Sequence, residues 1–357
     1  MSSPLSPLRD CPALRTATLR LTYQVEGHLH LPSPPAAVWR GQLGYYLRRL
    51  ASEKHHEQDL SLYQRLFRTP RSAVDVPDLD GRLLGALGLA GEHVPHPFVV
   101  RQVRPPRPPA TDVHRTEGDT VQVEWILLGT AVQHLPQLTG IAEVIGTDGL
   151  GRRTSQPNGK KTRGRVALKE AALRIGDAEQ ALYDGTEWTL PATCGPDLYD
   201  RIGPAEPDPE DTPVPARPIR ARLITPTRLK HRGDIRRPDT LPPAALVDCL
   251  YRRVVGMAVC YGREAPSTAR ASAWREAFWE LAEATSVDTS GARWTDDQRY
   301  SHRQERSHPA GGIVGTLCLD APAEARRVWA RWLRRAEELH LGKSTSMGLG
   351  RLEVLGP

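Results

Sequence analysis

The sequence predicts an α+β protein of two related modules, each a βαββαβ sheet with helices on one face. Three observations predict it. Alternating stretches, such as Leu19, Leu21, Tyr23 and Val25, read as half-buried strands. Stretches of helical period, such as Val38, Leu43, Tyr46, Leu47 and Leu50, read as helices with one inward face. The same order of strand, helix and paired strands, ending in a glycine-bearing basic loop, occurs on each side of a proline- and acid-rich stretch, residues 191–218. The repeat is one of order only, without residue-level self-similarity. The expected boundaries are therefore a first domain at 1–190, a linker at 191–218 and a second domain at 219–357.

In the first half, a strand is expected within Leu14–Leu31, a helix over Val38–Leu50, and strands at 96–101 and Val121–Leu128. Pro32 to Pro35 separate the first strand from its helix, and a further helix spans Val132–Ile145. A basic finger, Leu150–Arg165, carries six cations and no acid, with a turn at Asn158-Gly159. Such a local run repels itself unless it meets an anion. In the second half, a strand over Arg220–Ile224 runs into the basic turn Thr225–Lys230. Helices follow at Pro243–Cys260 and Ala273–Ala284, then an Arg-rich stretch, Arg293–His308, and a strand at Gly312–Leu319.

The chain then closes on its most informative stretch. A helix over Ala323–Leu339 leads into His340-Leu341-Gly342-Lys343-Ser344-Thr345-Ser346-Met347-Gly348-Leu349-Gly350-Arg351, and a short strand, Leu352–Leu355, follows. Bare glycine amides beside Lys343 and Arg351 suit an anion cradle, and the same residues read equally as a helix C-cap and tight turn. The spacing is neither a Walker loop, which needs an upstream glycine, nor a dinucleotide fingerprint, which runs from strand into helix.

Composition narrows the partners. Lys and Arg number 48 against 42 acids, a net charge of +6, which fits a polyanionic partner and equally a solvated basic surface. Five cysteines lie scattered without a CxxC pair, so no zinc ribbon or disulfide framework is expected, and a reducing, cytoplasmic setting fits. The Ser/Pro-rich start has no apolar core of a signal peptide, and no apolar run is long enough for a membrane span.

The closing stretch resembles the C-terminal signature of the CRISPR repeat-RNA-processing endoribonucleases, the sixth Cas family within the RAMP superfamily. Trp39–Leu50, Leu128 with Gly149-Leu150-Gly151, Leu223–Lys230, and Trp294–Gly315 resemble further segments of that family in the same order. The resemblance implies tandem ferredoxin-like (RRM-like) modules with facing sheets and a basic cleft between them. It implies binding of CRISPR repeat RNA and metal-independent cleavage 3′ of the repeat stem, without a cofactor or metal. The mature crRNA then passes to subunits of a CRISPR effector complex, with no membrane involved. The chain departs from the family in having Lys54-His55-His56 after its first helix in place of cysteines, a longer basic finger and a more acidic linker.

Metal-free RNA cleavage needs a base for the neighbouring 2′-OH, an acid for the departing 5′ oxygen and a cation for the phosphorane. Histidine suits the first two near neutral pH. His55 and His56 are the first candidates, with Lys54 beside them, because the family places its histidine after the first helix. His302, His308 and Tyr300 form a second set, and His340 reads equally as a helix C-cap. The RNA-binding candidates are Arg40, Arg152, Arg153, Lys160, Lys161, Arg163, Arg228, Lys230, Arg299, Arg303, Lys343 and Arg351. A second reading is a non-catalytic RAMP subunit that grips guide RNA, which would need the loops and cations but no histidine at the scissile phosphate.

Overall fold

The computed structural model describes residues 3–12, 14–53, 61–74, 81–103, 112–155, 161–191, 217–262, 264–296, 298–301 and 306–356. The N-terminal half opens with β1 (Thr16–Glu26), β2 (Leu29–Leu31) and α1 (Pro35–Glu53), followed by α2 (Gly81–Leu87), β3 (Phe98–Gln102), β4 (Val113–Arg115) and β5 (Thr120–Leu128). After α3 (Leu135–Val144) come β6 (Leu150–Ser155), β7 (Lys161–Ile175) and β8 (Ala178–Tyr183). Its main sheet has the order β3-β5-β1-β7-β6, with β8 on β7.

The C-terminal half begins with β9 (Ile219–Thr227) and the small ribbon β10 (Lys230–His231) and β11 (Asp234–Ile235). Three helices follow: α4 (Pro243–Leu250), α5 (Gly256–Tyr261) after a π turn at Tyr251–Val255, and α6 (Thr268–Glu283). Then come β12 (Ser286–Asp288), β13 (Ala292–Thr295), β14 (Gln298–Ser301), β15 (Arg306–Pro309), β16 (Gly312–Asp320), α7 (Ala323–Leu339) and β17 (Leu352–Leu355). The sheet order is β12-β16-β9-β17, with β13 also on β16.

The two sheets share one logic. In each, the first strand is central, between the third and the fourth, and the second strand lies outside the third. That is the ferredoxin-like order, reached twice by the same βαββαβ succession. Helix α7 and strand β17 fall where the sequence pattern puts them. The expected first strand instead breaks at Gly27, φ +95°, and resumes as β2. The expected helix at Val38 starts earlier, at Pro35, a residue whose fixed φ suits the first helical turn. Leu50, expected inward, is 40% exposed, because Arg48, Arg49 and Leu50 form an exposed end of α1.

Each half has an apolar core, and one of them crosses the seam. Leu19, Leu21, Tyr23, Trp39, Leu47, Trp125 and Ile141 close the first core. Val99, Ile126 and Leu128, on the other face of that sheet, join Leu229, Val254, Met257, Trp332 and Leu339 of the C-terminal half. Tyr261 fixes the contact by donating to the carbonyl of Pro95 at 2.6 Å. Burial of this seam orders the two halves relative to one another through the same effect that builds each core.

Candidate RNA-binding site at the seam

The glycine-rich loop lies across the seam. Its closing pair, Leu341 N to Gly350 O at 2.8 Å, folds residues 341–350 back on themselves. Gly350 N donates to Pro226 O at 3.1 Å and Lys343 N to Arg228 O at 3.2 Å, so the loop hangs on the basic turn after β9. Thr225 Oγ1 donates to Gly348 O and receives Arg351 N, both within 2.9 Å. On the other side the loop meets α1. A Cβ on Gly348 would sit 2.5 Å from Ala36 Cβ and 2.9 Å from Val100 O, and one on Gly350 would sit 1.8 Å from Leu341 O. Both glycines have positive φ, so glycine is needed for space and for conformation. Leu341, Thr345 and Gly348–Gly350 are buried, while Lys343 and Ser344 face solvent.

Arg40 on α1 joins the loop to the N-terminal half. Its Nε donates to Ser346 Oγ at 3.1 Å, its Nη2 meets His96 Nε2 at 2.6 Å, and its guanidinium lies 4.2 Å over the Phe67 ring. Arginine always donates, so His96 Nε2 accepts and its Nδ1–H points to Thr69 Oγ1 at 3.3 Å. Burial, then the charge of Arg40, pushes the His96 pKa down to about 3, which keeps the ring neutral and accepting. His96 is a positioning residue for Arg40.

On the C-terminal side the open rim of the loop gathers cations. Burial and then the neighbouring charges of Lys230, Arg228 and Arg252 lower the Lys343 pKa. Neighbouring like charges are unfavourable without an anion to bridge them. Arg228 also donates to the carbonyl of Pro309 at the end of β15. In the β14–β15 ladder Arg299 pairs with His308 and Tyr300 with Ser307, so the backbone of this hairpin ends at the cation cluster. Arg351 points the other way: its Nη1 donates to Gln102 O at 3.0 Å, which ties the loop to β3.

The basic finger sets one pair of like charges directly across its ladder. Arg153 is paired directly with Arg163, and Ser155 with Lys161. Cations directly opposite one another destabilise a strand pair, which again favours an anionic partner. Arg152 at its foot bonds Asp112 at 3.3 Å. The entry to α1 connects finger and loop: Ser33 N, two residues before the helix, donates to Asp112 Oδ1, and Ala36 in its first turn abuts Gly348.

The structure thus brings together Arg40, Arg228, Lys230, Lys343 and Arg351 around the loop, and Arg152, Arg153, Lys161 and Arg163 on the finger. Lys54, His55, His56, Lys160, His302 and Arg303 lie outside the described residues. Of Arg299, Tyr300 and His308 only the backbone is described. At 1.5 Å per residue the C-terminal end of α1 lies about 20 Å along the helix from Arg40. His340 is a buried residue at φ +58° whose Nδ1 bonds Leu349 O at 3.1 Å, so it fixes the loop from inside. Sequence periodicity missed His96, Ser346 and Arg252. The π turn shifts Arg252 off the 3.6-residue pattern, and His96 sits inside a run that reads only as strand.

Two ferredoxin-like halves with an open glycine-rich loop and its cations at their seam define an RNA-binding protein of the tandem type. Residues 221–352 match the family model described as CRISPR-associated endoribonuclease Cas6, and residues 14–193 match one described as an N-terminal domain. The C-terminal part of the chain, residues 221–352, thus belongs to the Cas6 family of CRISPR-associated, repeat-RNA-processing endoribonucleases. Among solved structures it is similar to Thermus thermophilus Cas6, with 16% identity, 96% of this chain and 99% of that one covered, and a TM-score of 0.47. It is likewise similar to a Cas6 product complex, at 17% identity, 96% and 99% coverage and a TM-score of 0.48. Similarity also extends to a partial Cas6-RT-Cas1–Cas2 complex, at 12% identity, 96% and 46% coverage and a TM-score of 0.48. No curated protein matches. No helix among the described residues is long and apolar enough to cross a membrane.

Proposed function

We propose that the protein binds CRISPR repeat RNA along the finger and the glycine-rich loop and cleaves it without a metal ion. The observation that carries this reading is the seating of the glycine-rich loop on the basic turn: Lys343 N donates to Arg228 O at 3.2 Å, which sets Lys343 beside the segment that carries Arg228 and Lys230 at the loop's exposed rim. Their mutual repulsion falls when a phosphodiester enters, and the amides of the loop add neutral donors. In the reaction the 2′-OH attacks the adjoining phosphorus as a base takes its proton. An acid protonates the 5′ oxygen as its bond to phosphorus breaks, leaving a 2′,3′-cyclic phosphate and a free 5′-hydroxyl. Arginine and lysine at the cluster offset the extra negative charge of the phosphorane.

His55 and His56, with Lys54, are the first candidates for acid and base, and His302, His308 and Tyr300 the second. Their place after α1 favours the first set. The end of β15 at Arg228 supports the second. We assign the domains as 1–190 and 219–357 with a linker at 191–218, and the product crRNA to a CRISPR effector complex.

The test is repeat RNA incubated with the protein in EDTA. The expected product ends in a 2′,3′-cyclic phosphate, and a requirement for Mg²⁺ would overturn the mechanism. His55→Ala/His56→Ala should abolish cutting and spare binding. Loss of cutting only in His302→Ala/His308→Ala would move the chemistry to the β14–β15 hairpin. RNA that is bound but intact under every condition would favour the non-catalytic subunit.

A further inference from the structure

We propose that His30, Asp112 and His114 form a site for one divalent transition-metal ion of the zinc class, separate from RNA cleavage. The site follows from strand alternation. β2 and β4 pair antiparallel with His30 directly opposite His114. Leu29, Leu31 and Val113 point into the core, at 1%, 0% and 2% exposure. A period of two therefore sets His30, His114 and Asp112, two residues before His114, on the opposite face. The two imidazole centroids lie 4.2 Å apart, and Asp112 Oδ2 is 2.7 Å from His30 Nε2. One ligand atom from each residue lies within 4.8 Å of the other two.

Zinc binds His nitrogen and carboxylate oxygen at about 2.0–2.2 Å in tetrahedral geometry, so two ligand atoms of one ion lie roughly 3.3–3.6 Å apart. Closing the present cluster onto an ion needs side-chain shifts of about 1 Å. Two His and one Asp leave a fourth position for water, as in open zinc sites. The carboxylate is held in place from outside the ion: Ser33 N donates to Asp112 Oδ1 at 2.9 Å, which leaves Oδ2 for the metal. At that oxygen the metal displaces the contact with His30, whose Nε2 is 2.7 Å away and becomes a ligand by giving up any proton it holds, and competes with Arg152, whose Nη1 is 3.3 Å away. Metal binding thus releases Arg152 at the foot of the finger. None of the three residues belongs to the proposed acid–base sets.

The experiment uses the full chain, stripped with EDTA and dialysed, then titrated with Zn²⁺ by calorimetry and with Co²⁺ by visible absorption. The expected result is one site whose Co²⁺ spectrum has the intense bands of four-coordination. His114→Ala and Asp112→Asn should each weaken it at least tenfold. Arg152→Ala should tighten it several-fold, because the competing cation is gone. The side chain of His114 is exposed, so its variant remains informative even where His30→Ala fails to fold. The proposal is overturned if the native chain binds neither ion at micromolar concentration. It is equally overturned if both His114→Ala and Asp112→Asn bind as tightly as the native chain, which would put the ion on other histidines.

Discussion

Arg253 Nε donates to the carbonyl of Leu339 at 2.8 Å, so a guanidinium from the π turn closes the last turn of α7. The carbonyls there have no intrahelical partner, and a cation suits the negative end of the helix dipole. Arg253 is buried, and burial pushes its pKa down to about 10, still high enough to keep it charged. It holds the point from which the glycine-rich loop departs. Arg253→Met should lower stability by about 1.5–3 kcal/mol, the usual worth of a hydrogen bond to a charged group. Urea unfolding checks this, and RNA affinity should fall with it because the loop loses its anchor.

The cation cluster makes a prediction about salt. Removing one phosphate contact from a single-stranded complex lowers the slope of log affinity against log salt by about 0.7. Lys343→Ala and Lys230→Ala should each show this and weaken binding alike for matched and scrambled repeats. Equal slopes in native and variant proteins would take these lysines out of the interface.

The loop glycines should resist substitution in different ways. Gly350→Ala puts a Cβ on the Leu341 carbonyl at a positive φ, and both effects act on backbone that cannot move aside. A loss of several kcal/mol in stability is expected, on the order of other severe backbone strains. Gly348→Ala meets a side-chain methyl on Ala36 but also the Val100 carbonyl. It should leave a folded chain whose loop is pushed off α1, with reduced RNA binding measured by filter retention.

Stability should decline in mild acid. His96 and His340 both have pKa values lowered by burial, His96 to about 3. In the unfolded chain they take a proton near pH 6.5, whereas in the fold they stay neutral. The stabilisation is therefore complete above pH 6.5 and is lost as pH falls towards the folded value, at up to about 1.4 kcal/mol per pH unit for each group. Thermal unfolding of His96→Gln across pH 4–7 should give a shallower slope than the native chain. An unchanged slope would mean that the ring titrates normally in the fold.

How far the sequence reaches depends on what carries the signal. Alternation in Leu19–Val25 and the stripe of α7 report their own burial, so strands and helices were legible, and with them the doubled sheet order. The glycine-rich loop announced itself because glycine at 348 and 350 answers a steric demand. Partnerships between distant residues carry no such local mark. Arg40 with His96, Arg253 with Leu339, and His30 with His114 are made by strand register and by one π turn. The start of α1 lies a few residues ahead of its apolar period because Pro35, a breaker within a helix, is suited to a helix's first turn.

The contact between Gly348 and Ala36 joins residues more than three hundred positions apart. During synthesis the first sheet can close long before the last strand emerges from the ribosome. The groove, however, waits for β17 to dock beside β9 and carry the loop onto α1. A nascent chain therefore lacks the contact between loop and α1 on which the proposed RNA cradle depends until residues 341–355 have been made.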